Sequence, residues 1–251
     1  MQQFFKQRLN RHRFEEALLK RDGLGQSIIH HLAQEEGDLK MLKYICQKAL
    51  HTSNPYAADK DGNTPIHLAA MRGHLKIVKF LASNISIANA SDKYGRTPIQ
   101  FATCEGHLGI VKFLACIADT TDKYGSTPIH WAAFYGHLEI VKFLASNTSN
   151  LNDVDMDGCT PIFLAAWQGH LEMVKFLVSM GSNPNAVNKY GRTPIHYAAN
   201  SGHLEIEKYL ELHTTNPNVT DKSDKTSSEI ARSQGLLDIA AYFLELKTKG
   251  Y

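Results

Sequence analysis

The apolar and polar residues of 122–145 predict a hairpin of two helices. Gly125 lies in a tight turn where a positive φ costs little, and Thr127 with the proline after it is typical of a helix start. We expect that first helix to end at Tyr135, because Gly136 fits the left-handed position that closes a helix. Apolar residues at helical spacing then predict a second helix that runs to about residue 145.

The same pattern recurs along most of the chain. Its features are a turn glycine, a Thr-Pro helix start, a pair of small residues, a Gly-His break and an apolar second helix. The threonines that begin the first helices follow one another at steps of 33, 30, 33, 33 and 33 residues. They are Thr64, Thr97, Thr127, Thr160, Thr193 and, in a copy that has lost several features, Thr226. Since one hairpin cannot bury its apolar face alone, the pattern predicts a stack of copies.

The period and the TPIH segments at 64–67, 127–130 and 193–196 resemble the ankyrin repeat. The resemblance covers about 23–246 and implies an all-α solenoid of helix-turn-helix units joined by β-turn loops. It places an ankyrin repeat domain at 23–251, and we expect the last unit to be a C-terminal cap. The repeats are expected to begin near residues 23, 59, 92, 122, 155, 188 and 221.

The N-terminal residues 1–22 combine apolar and basic side chains at mostly helical spacing. We predict an amphipathic helix that caps the first repeat, with binding to a membrane surface, nucleic acid or an acidic partner as the alternative. The first repeat itself has two possible registers. Counted from Ser27, the repeat's histidine is His30, whereas counted back from Gly37 it is His31.

The 251-residue chain has a formal net charge of +2, which does not favour nucleic acid or a membrane as partner. Its four cysteines lack any C-x-x-C pairing, so we expect neither a disulfide framework nor a zinc site. No stretch approaches the roughly 18 consecutive apolar residues of a membrane span, and the N-terminus does not resemble a secretory signal. We therefore expect an intracellular monomer in the cytoplasm, the nucleus or both.

Most of the 13 histidines occupy repeated positions, which favours structural roles over catalysis or metal binding. His67, His130 and His196 occupy the last position of TPIH, where the resemblance implies that the imidazole bridges to the threonine and nearby backbone. Five others follow the helix-breaking glycines. No nucleophile lies beside a base, and no glycine-rich phosphate loop precedes a helix. We expect no enzyme activity, cofactor, metal or small-molecule substrate.

The resemblance implies that the turn tips and first helices line a concave face that binds a protein partner. The candidate partner-binding residues are Tyr94, Arg96, Tyr124, Phe134, Tyr135, Met156, Trp167, Tyr190 and Arg192. Phe134, Tyr135 and Trp167 are large aromatic residues where packing does not require them, which is typical of an interaction hot spot. The alternatives are that these rings pack on neighbouring tips, and that the tip tyrosines are inherited from one duplicated module. We expect Phe101, Trp131 and Tyr197 to point between helices.

Four asparagines in the loops between repeats each follow a leucine by eight residues: Asn89, Asn152, Asn185 and Asn218. This spacing is similar to that of asparagine hydroxylation sites in ankyrin repeats. The alternative is that each asparagine braces its loop by hydrogen bonds. Both interpretations stay open at the level of the sequence.

Taken together, these features favour a non-catalytic module for protein–protein interaction, either a scaffold or an adaptor. One alternative is a substrate-recognition subunit or effector that acts with a separate enzyme, such as a ubiquitin ligase. The other is binding to a membrane or nucleic acid through the basic N-terminal helix.

Overall fold

The computed structural model describes residues 16–35, 39–49, 54–83, 85–115, 121–147, 150–216 and 218–236. All of the regular secondary structure in these ranges is helical, so the predicted all-α fold is confirmed. Of the N-terminal helix predicted over 1–22, residues 16–19 form a helical turn, residues 20–22 are not helical, and residues 1–15 lie outside the described residues.

The chain divides into two compact units, 1–123 and 124–251. The described helices of the first unit are α1 (Ile28–Gln34), α2 (Leu39–Ala49), α3 (Pro65–Met71), α4 (Leu75–Leu81), α5 (Ile85–Ala88), α6 (Pro98–Cys104) and α7 (Leu108–Leu114). Those of the second unit are α8 (Pro128–Tyr135), α9 (Leu138–Asn147), α10 (Pro161–Gln168), α11 (Leu171–Ser179), α12 (Pro194–Ser201), α13 (Leu204–Glu211) and α14 (Ser227–Ser233).

Within each unit, the first helices of successive repeats pack side by side. In the first unit α3 lies between α1 and α6, and α4 packs on α7. In the second unit α8, α10, α12 and α14 follow one another in the same way, and α11 packs on α13. Six first helices also pack on the second helix of their own repeat: α1, α3, α6, α8, α10 and α12. The apolar face of one hairpin is therefore buried by the next hairpin, as expected for a repeat protein.

The start of α8 shows why each first helix begins where the sequence predicts. Thr127 has an extended backbone and precedes a proline at the first helical position, which has no N–H to satisfy. The Thr127 N–H donates to Nδ1 of His130 at 3.2 Å, and the Thr127 hydroxyl lies 2.8 Å from the same atom. Gly136, with φ of +78°, ends the helix after Tyr135 as predicted.

The second helix of the same repeat, α9, ends at Asn147, slightly later than predicted. The Ser146 hydroxyl and the Asn147 side-chain amide both donate to the Phe143 carbonyl, at 2.9 and 2.7 Å. These side-chain donors satisfy a carbonyl near the end of the helix, where the last carbonyls have no backbone N–H partner within the helix. The apolar pattern ends near residue 145, whereas these hydrogen bonds extend the helix to Asn147.

Small and branched apolar residues fill the interface between neighbouring repeats. Ile129, Ala132 and Ala133 of α8 are completely buried, as is Val141 of α9. The two alanines allow the first helices to approach closely. Complete burial of an isoleucine or valine side chain contributes about 1.5–3 kcal/mol, so this interface is the main source of stability.

The first repeat adopts the register counted from Ser27. The Ser27 hydroxyl lies 2.9 Å from Nδ1 of His30, and Nε2 of His30 lies 3.1 Å from the Asn63 carbonyl, the same arrangement as in the TPIH repeats. His31 instead contacts Asp22 at 3.0 Å on the exposed side of the helix. The extra residue of this repeat therefore follows His30.

An acidic or amide residue at the start of each turn fixes the shape of the turn, a role that the sequence pattern did not indicate. Oδ1 of Asp92 accepts hydrogen bonds from the N–H groups of Tyr94 and Arg96, both at 2.8 Å. The same pair of bonds is formed by Asp22, Asp59, Asp155, Asn188 and Asp221. Such Asx turns explain the recurring Asp or Asn three residues before the turn glycine.

Candidate functional site

The turn tips, meaning the second and third residues of each Asx turn, are joined by backbone hydrogen bonds within each unit. In the second unit these bonds run from Met156 N to Tyr124 O (2.8 Å), Lys189 N to Asp157 O (2.9 Å) and Lys222 N to Tyr190 O (3.0 Å). In the first unit they run from Lys60 N to Leu24 O (3.0 Å), Lys93 N to Asp61 O (2.9 Å) and Lys123 N to Tyr94 O (2.9 Å). Because these backbone hydrogen bonds fix the distance between neighbouring tips, the tip side chains form an ordered row within each unit.

The candidate residues on the tips have exposed apolar side chains. In the second unit these are Tyr124, Met156 and Tyr190, of which Met156 is 68% exposed. Tyr94 is the exposed tip tyrosine of the first unit. Lys93 and Lys189 lie over the rings of the tyrosines that follow them, with Nζ 5.0 and 5.2 Å from the ring centroids. The tips therefore present aromatic rings flanked by positive charge.

The two candidate arginines are already held by aspartates of the repeats. Nε and Nη2 of Arg96 lie 2.8 and 2.7 Å from Oδ2 of Asp92, and its guanidinium lies 4.5 Å from the Phe101 ring centroid. Nε of Arg192 lies 3.0 Å from Oδ2 of Asp221 in the next repeat. Both arginines therefore brace the turns and are held in fixed positions on the surface.

Five aromatic rings from three successive first helices form a continuous aromatic cluster in the second unit: Trp131, Phe134, Tyr135, Trp167 and Tyr197. The Phe134 ring lies edge-on to Tyr135 (5.0 Å between centroids) and to Trp167 (5.7 Å). Trp131 stacks on Tyr135 at 6.1 Å, and Trp167 lies edge-on to Tyr197 at 6.2 Å. These distances and angles are those at which aromatic pairs attract one another.

The aromatic cluster is only partly covered by the chain itself. Tyr135 is 46% exposed and Trp167 is 42% exposed, while Phe134 is half-buried between them. Trp131 and Tyr197, which we expected to point between helices, are half-buried and join the cluster. Phe101 is buried as expected. The indole of Trp131 and the phenol of Tyr197 extend out beside their neighbours, which sequence position alone did not indicate.

Tyr197 connects the aromatic cluster to the turn tips. Its hydroxyl accepts a hydrogen bond from Nδ2 of Asn188 at 2.9 Å, so the ring is held against the turn that carries Tyr190. Burial raises the pKa of the Tyr197 phenol, which stays protonated at neutral pH. A cavity of about 240 Å³ beside this ring is lined by Tyr190, Arg192, Tyr197, Asp221, Lys222 and Ser223.

Histidines that follow the helix-breaking glycines fix the helix ends that carry the cluster. Nε2 of His170 donates to the Phe134 carbonyl at 3.0 Å, and Nε2 of His203 donates to the Trp167 carbonyl at 3.0 Å. His74 and His107 form the corresponding bonds in the first unit. These imidazoles hold successive repeats together, whereas the sequence predicted a structural role for them without specifying these bonds.

The TPIH histidines are buried and neutral. Nδ1 of His67 accepts from the Thr64 N–H at 3.1 Å, and its Nε2 donates to the Arg96 carbonyl of the next repeat at 3.1 Å. Burial lowers the pKa of His67 from 6.5 to about 4, and it also lowers the pKa values of His30, His130 and His196.

We expect the substitution His67→Gln to reduce the acid sensitivity of the fold. Because the folded protein holds His67 neutral, the contribution of His67 to stability is full above pH 6.5. It is lost as the pH falls from 6.5 towards about 4. Between pH 7 and pH 5, protonation of His67 in the unfolded chain lowers the free energy of unfolding by about 2 kcal/mol. Glutamine fits this position, because Oε1 of Gln100 accepts from Thr97 N at 2.8 Å in the next repeat. Urea unfolding at both pH values measures the loss in free energy of unfolding. An equal loss in the wild type and in His67→Gln would contradict the assignment of this pH dependence to His67.

The described cysteines do not have the properties of nucleophiles. Burial raises the pKa of Cys46 to about 11 and that of Cys104 to about 12, and it also raises the pKa of Cys159. These thiols are therefore protonated at neutral pH. Among the described residues, no group of His, Cys, Asp and Glu side chains is arranged to hold a metal ion.

Two of the four candidate hydroxylation sites brace their loops. Oδ1 of Asn152 accepts from Asn183 N at 3.0 Å, and Oδ1 of Asn185 accepts from Thr215 N at 3.1 Å. Asn89 is half-buried and Asn218 is exposed. The bonds of Asn152 and Asn185 join neighbouring repeats and give these asparagines a structural role whether or not they are modified.

Comparison with known protein families gives matches along most of the chain. A family model described as "Ankyrin repeats (3 copies)" matches residues 8–91, 29–123 and 115–188. A second model, "Ankyrin repeats (many copies)", matches residues 168–211. No curated protein matches the sequence. Within the described residues, none of the helices has the length and hydropathy needed to cross a lipid bilayer.

Proposed function

Because the chain belongs to the ankyrin repeat family, whose repeats are generally protein–protein interaction modules, we propose that it is a non-catalytic scaffold or adaptor. We place the binding site for the protein partner on the turn tips and first helices. The observation that carries this proposal is the half-exposed aromatic cluster on α8, α10 and α12.

The aromatic cluster has the properties of a binding hot spot. Its rings hold one another at fixed distances, so little side-chain entropy is lost when a partner covers them. Tyr135 and Trp167 expose large apolar surfaces, and the phenol and indole also supply polar hydrogen-bonding groups. Tyr and Trp are among the residues that contribute most to protein interfaces.

The charges on the tips favour a partner with carboxylates around an apolar centre. Tyr190 is flanked by Lys189 and Arg192, and Tyr94 is flanked by Lys93 and Arg96. Lys93 and Lys189 form ion pairs with Asp61 and Asp157 of the preceding tips, and the two arginines pair with Asp92 and Asp221. We expect these paired charges to orient the partner, while the aromatic cluster supplies most of the affinity.

We expect the double substitution Tyr135→Ala and Trp167→Ala to weaken binding of the protein partner by at least about 100-fold, because each is a hot-spot residue. The intact chain is used to capture partners from the native source, and the dissociation constant of the purified partner is then measured for both proteins. The fold should be unchanged, because both side chains are nearly half exposed.

A matched control removes the same number of exposed apolar side chains elsewhere in the second unit. Met180 and Leu212, which follow α11 and α13, are both exposed, so Met180→Ala with Leu212→Ala should leave the affinity unchanged. If a partner tolerates the loss of Tyr135 and Trp167 but is lost when residues 1–21 are deleted, binding is through the N-terminal segment and the proposed site is wrong.

A further inference from the structure

The second helices of the first unit carry only positive charge. Helices α2, α4 and α7, which are described along their whole length, contain no aspartate or glutamate. Their lysines are all exposed: Lys40, Lys43, Lys48, Lys76, Lys79 and Lys112. We call this set the basic face. It lies on second helices, whereas the proposed protein-binding site lies on turn tips and first helices.

The equivalent helices of the second unit also carry glutamates: α9 and α11 have one glutamate and one lysine each, and α13 has three glutamates and one lysine. Lys142, Lys175 and Lys208 each form an ion pair with the glutamate three residues earlier, at 2.7, 2.7 and 2.8 Å. Those glutamates are Glu139, Glu172 and Glu205. The positions equivalent to these glutamates in the first unit hold Lys40, Lys76 and Gly109. The net charge of +2 for the whole chain conceals this difference between the two units.

Aromatic rings position two lysines of the basic face without neutralising them. Nζ of Lys43 lies 5.6 Å from the Phe80 ring centroid, and Nζ of Lys79 lies 5.7 Å from that of Phe113. A cation–π contact joins neighbouring repeats and leaves the full charge available. The positive charges therefore extend across three helices as a two-dimensional array.

The chemistry of the basic face fits a negatively charged lipid surface. Lysine is a compact point charge suited to diffuse attraction, and the basic face has no arginine for the bidentate phosphate contacts typical of nucleic-acid sites. Beside the lysines of α2, Met41 and Tyr44 are 49% and 52% exposed. Apolar side chains among lysines are typical of surfaces that lie at the headgroup level of a bilayer.

We propose that the basic face binds the surface of membranes rich in anionic phospholipid. Four to eight clustered basic residues suffice for such binding, and the basic face has six lysines. Binding of this kind is reversible and weakens with salt, because it depends on charges within a Debye length of the bilayer. The proposal is independent of the protein-binding site.

The test uses the intact chain and vesicles made of equal parts phosphatidylserine and phosphatidylcholine. The triple variant Lys43→Gln, Lys79→Gln, Lys112→Gln should bind about 100-fold more weakly, since each lysine near the surface contributes about a factor of five. The matched control is Lys142→Gln, Lys175→Gln, Lys208→Gln. It makes the same change of charge at the same repeat positions, on helices that also carry Glu139, Glu172 and Glu205, and should bind like the wild type.

Three further measurements decide the outcome. Vesicles of phosphatidylcholine alone should not bind, and the Tyr135→Ala, Trp167→Ala protein should bind phosphatidylserine vesicles normally, which separates this proposal from the proposed function. If the two triple variants lose affinity for phosphatidylserine vesicles equally, the basic face is not the lipid-binding site. Tighter binding to duplex DNA or polyglutamate than to vesicles of equal charge concentration would overturn the lipid as its ligand.

Discussion

Replacing Glu207 with valine is expected to raise the free energy of unfolding by about 3 kcal/mol at pH 7. Glu207 in α13 is completely buried, and neither carboxyl oxygen has a hydrogen-bond partner among the residues that the structure describes. Burial raises its pKa from 4.5 to about 8, with a smaller contribution from Glu211 one turn away. The chain must therefore take up a proton at this carboxyl when it folds at neutral pH.

Valine is the natural choice at this position. The residues equivalent to Glu207 in the preceding repeats are Val78, Val111, Val141 and Val174, and all four are completely buried. The substitution therefore restores the packing of the other repeats and removes a polar group without partners. Urea unfolding of the wild type and the variant measures the gain.

The pH dependence of this gain in stability separates two contributions: the cost of protonating Glu207 on folding and the better packing of valine. A raised pKa means that stability is full below about 4.5 and is lost as the pH rises through about 8. The advantage of valine should therefore grow between pH 5 and pH 8. Glu207→Gln, which has nearly the same shape but does not titrate, should show the same growth. A pH-independent difference would mean that Glu207 is solvated and ionised in the folded protein.

The substitution Gly191→Ala is expected to destabilise the second unit by about 3 kcal/mol. Gly191 has φ of +75°, and an added Cβ would lie 2.8 Å from the backbone nitrogen of Lys222 in the next turn. That nitrogen donates to the Tyr190 carbonyl, so the clash breaks the hydrogen bond that joins the two tips. The cost combines the strain of a positive φ with the loss of this bond.

Gly181→Ala is the matched control for this prediction. Gly181 has φ of +92°, but an added Cβ would meet nothing within 4 Å. Its cost should be limited to the backbone strain, about 1–2 kcal/mol. Thermal and urea unfolding of the two variants compare the effects, and equal losses would show that the contact between tips contributes little to stability.

The local structure of the repeats was predictable because each feature has its own chemical cause. The Thr-Pro start and the left-handed Gly136 follow from residue type, whereas the bridging role of His67 is implied by the resemblance to the ankyrin repeat. The structure has all three as expected. The Asx turns were missed although the sequence contains the signal. Asp92 and its equivalents recur three residues before the turn glycine, and only the hydrogen-bond geometry shows their function.

Features that depend on the exact distances between side chains could not be predicted from the sequence. The register of the first repeat stayed open until the distance between Ser27 and His30 decided it. Arg96 is a free surface position by pattern, yet it pairs with the buried Asp92 in its own turn. The extent of the aromatic cluster likewise depends on how far the rings of Trp131 and Tyr197 extend beyond the helices.

The histidines between repeats link the stability of the stack to the geometry of the aromatic cluster. His170 and His203 donate to the carbonyls of Phe134 and Trp167, so the same bonds that join the repeats also fix the helix ends that carry the aromatic cluster. The stack therefore supplies a rigid support for the rings. A partner that binds there meets a preformed surface.

The most direct test uses the two tryptophans of the chain, Trp131 and Trp167, which both belong to the aromatic cluster. In a Trp131→Phe variant, the fluorescence of Trp167 alone is quenched with acrylamide, with and without the purified protein partner. We predict that the partner lowers the quenching constant several-fold, because it covers the half-exposed indole. An unchanged quenching constant with the partner fully bound would contradict the aromatic cluster as the binding site.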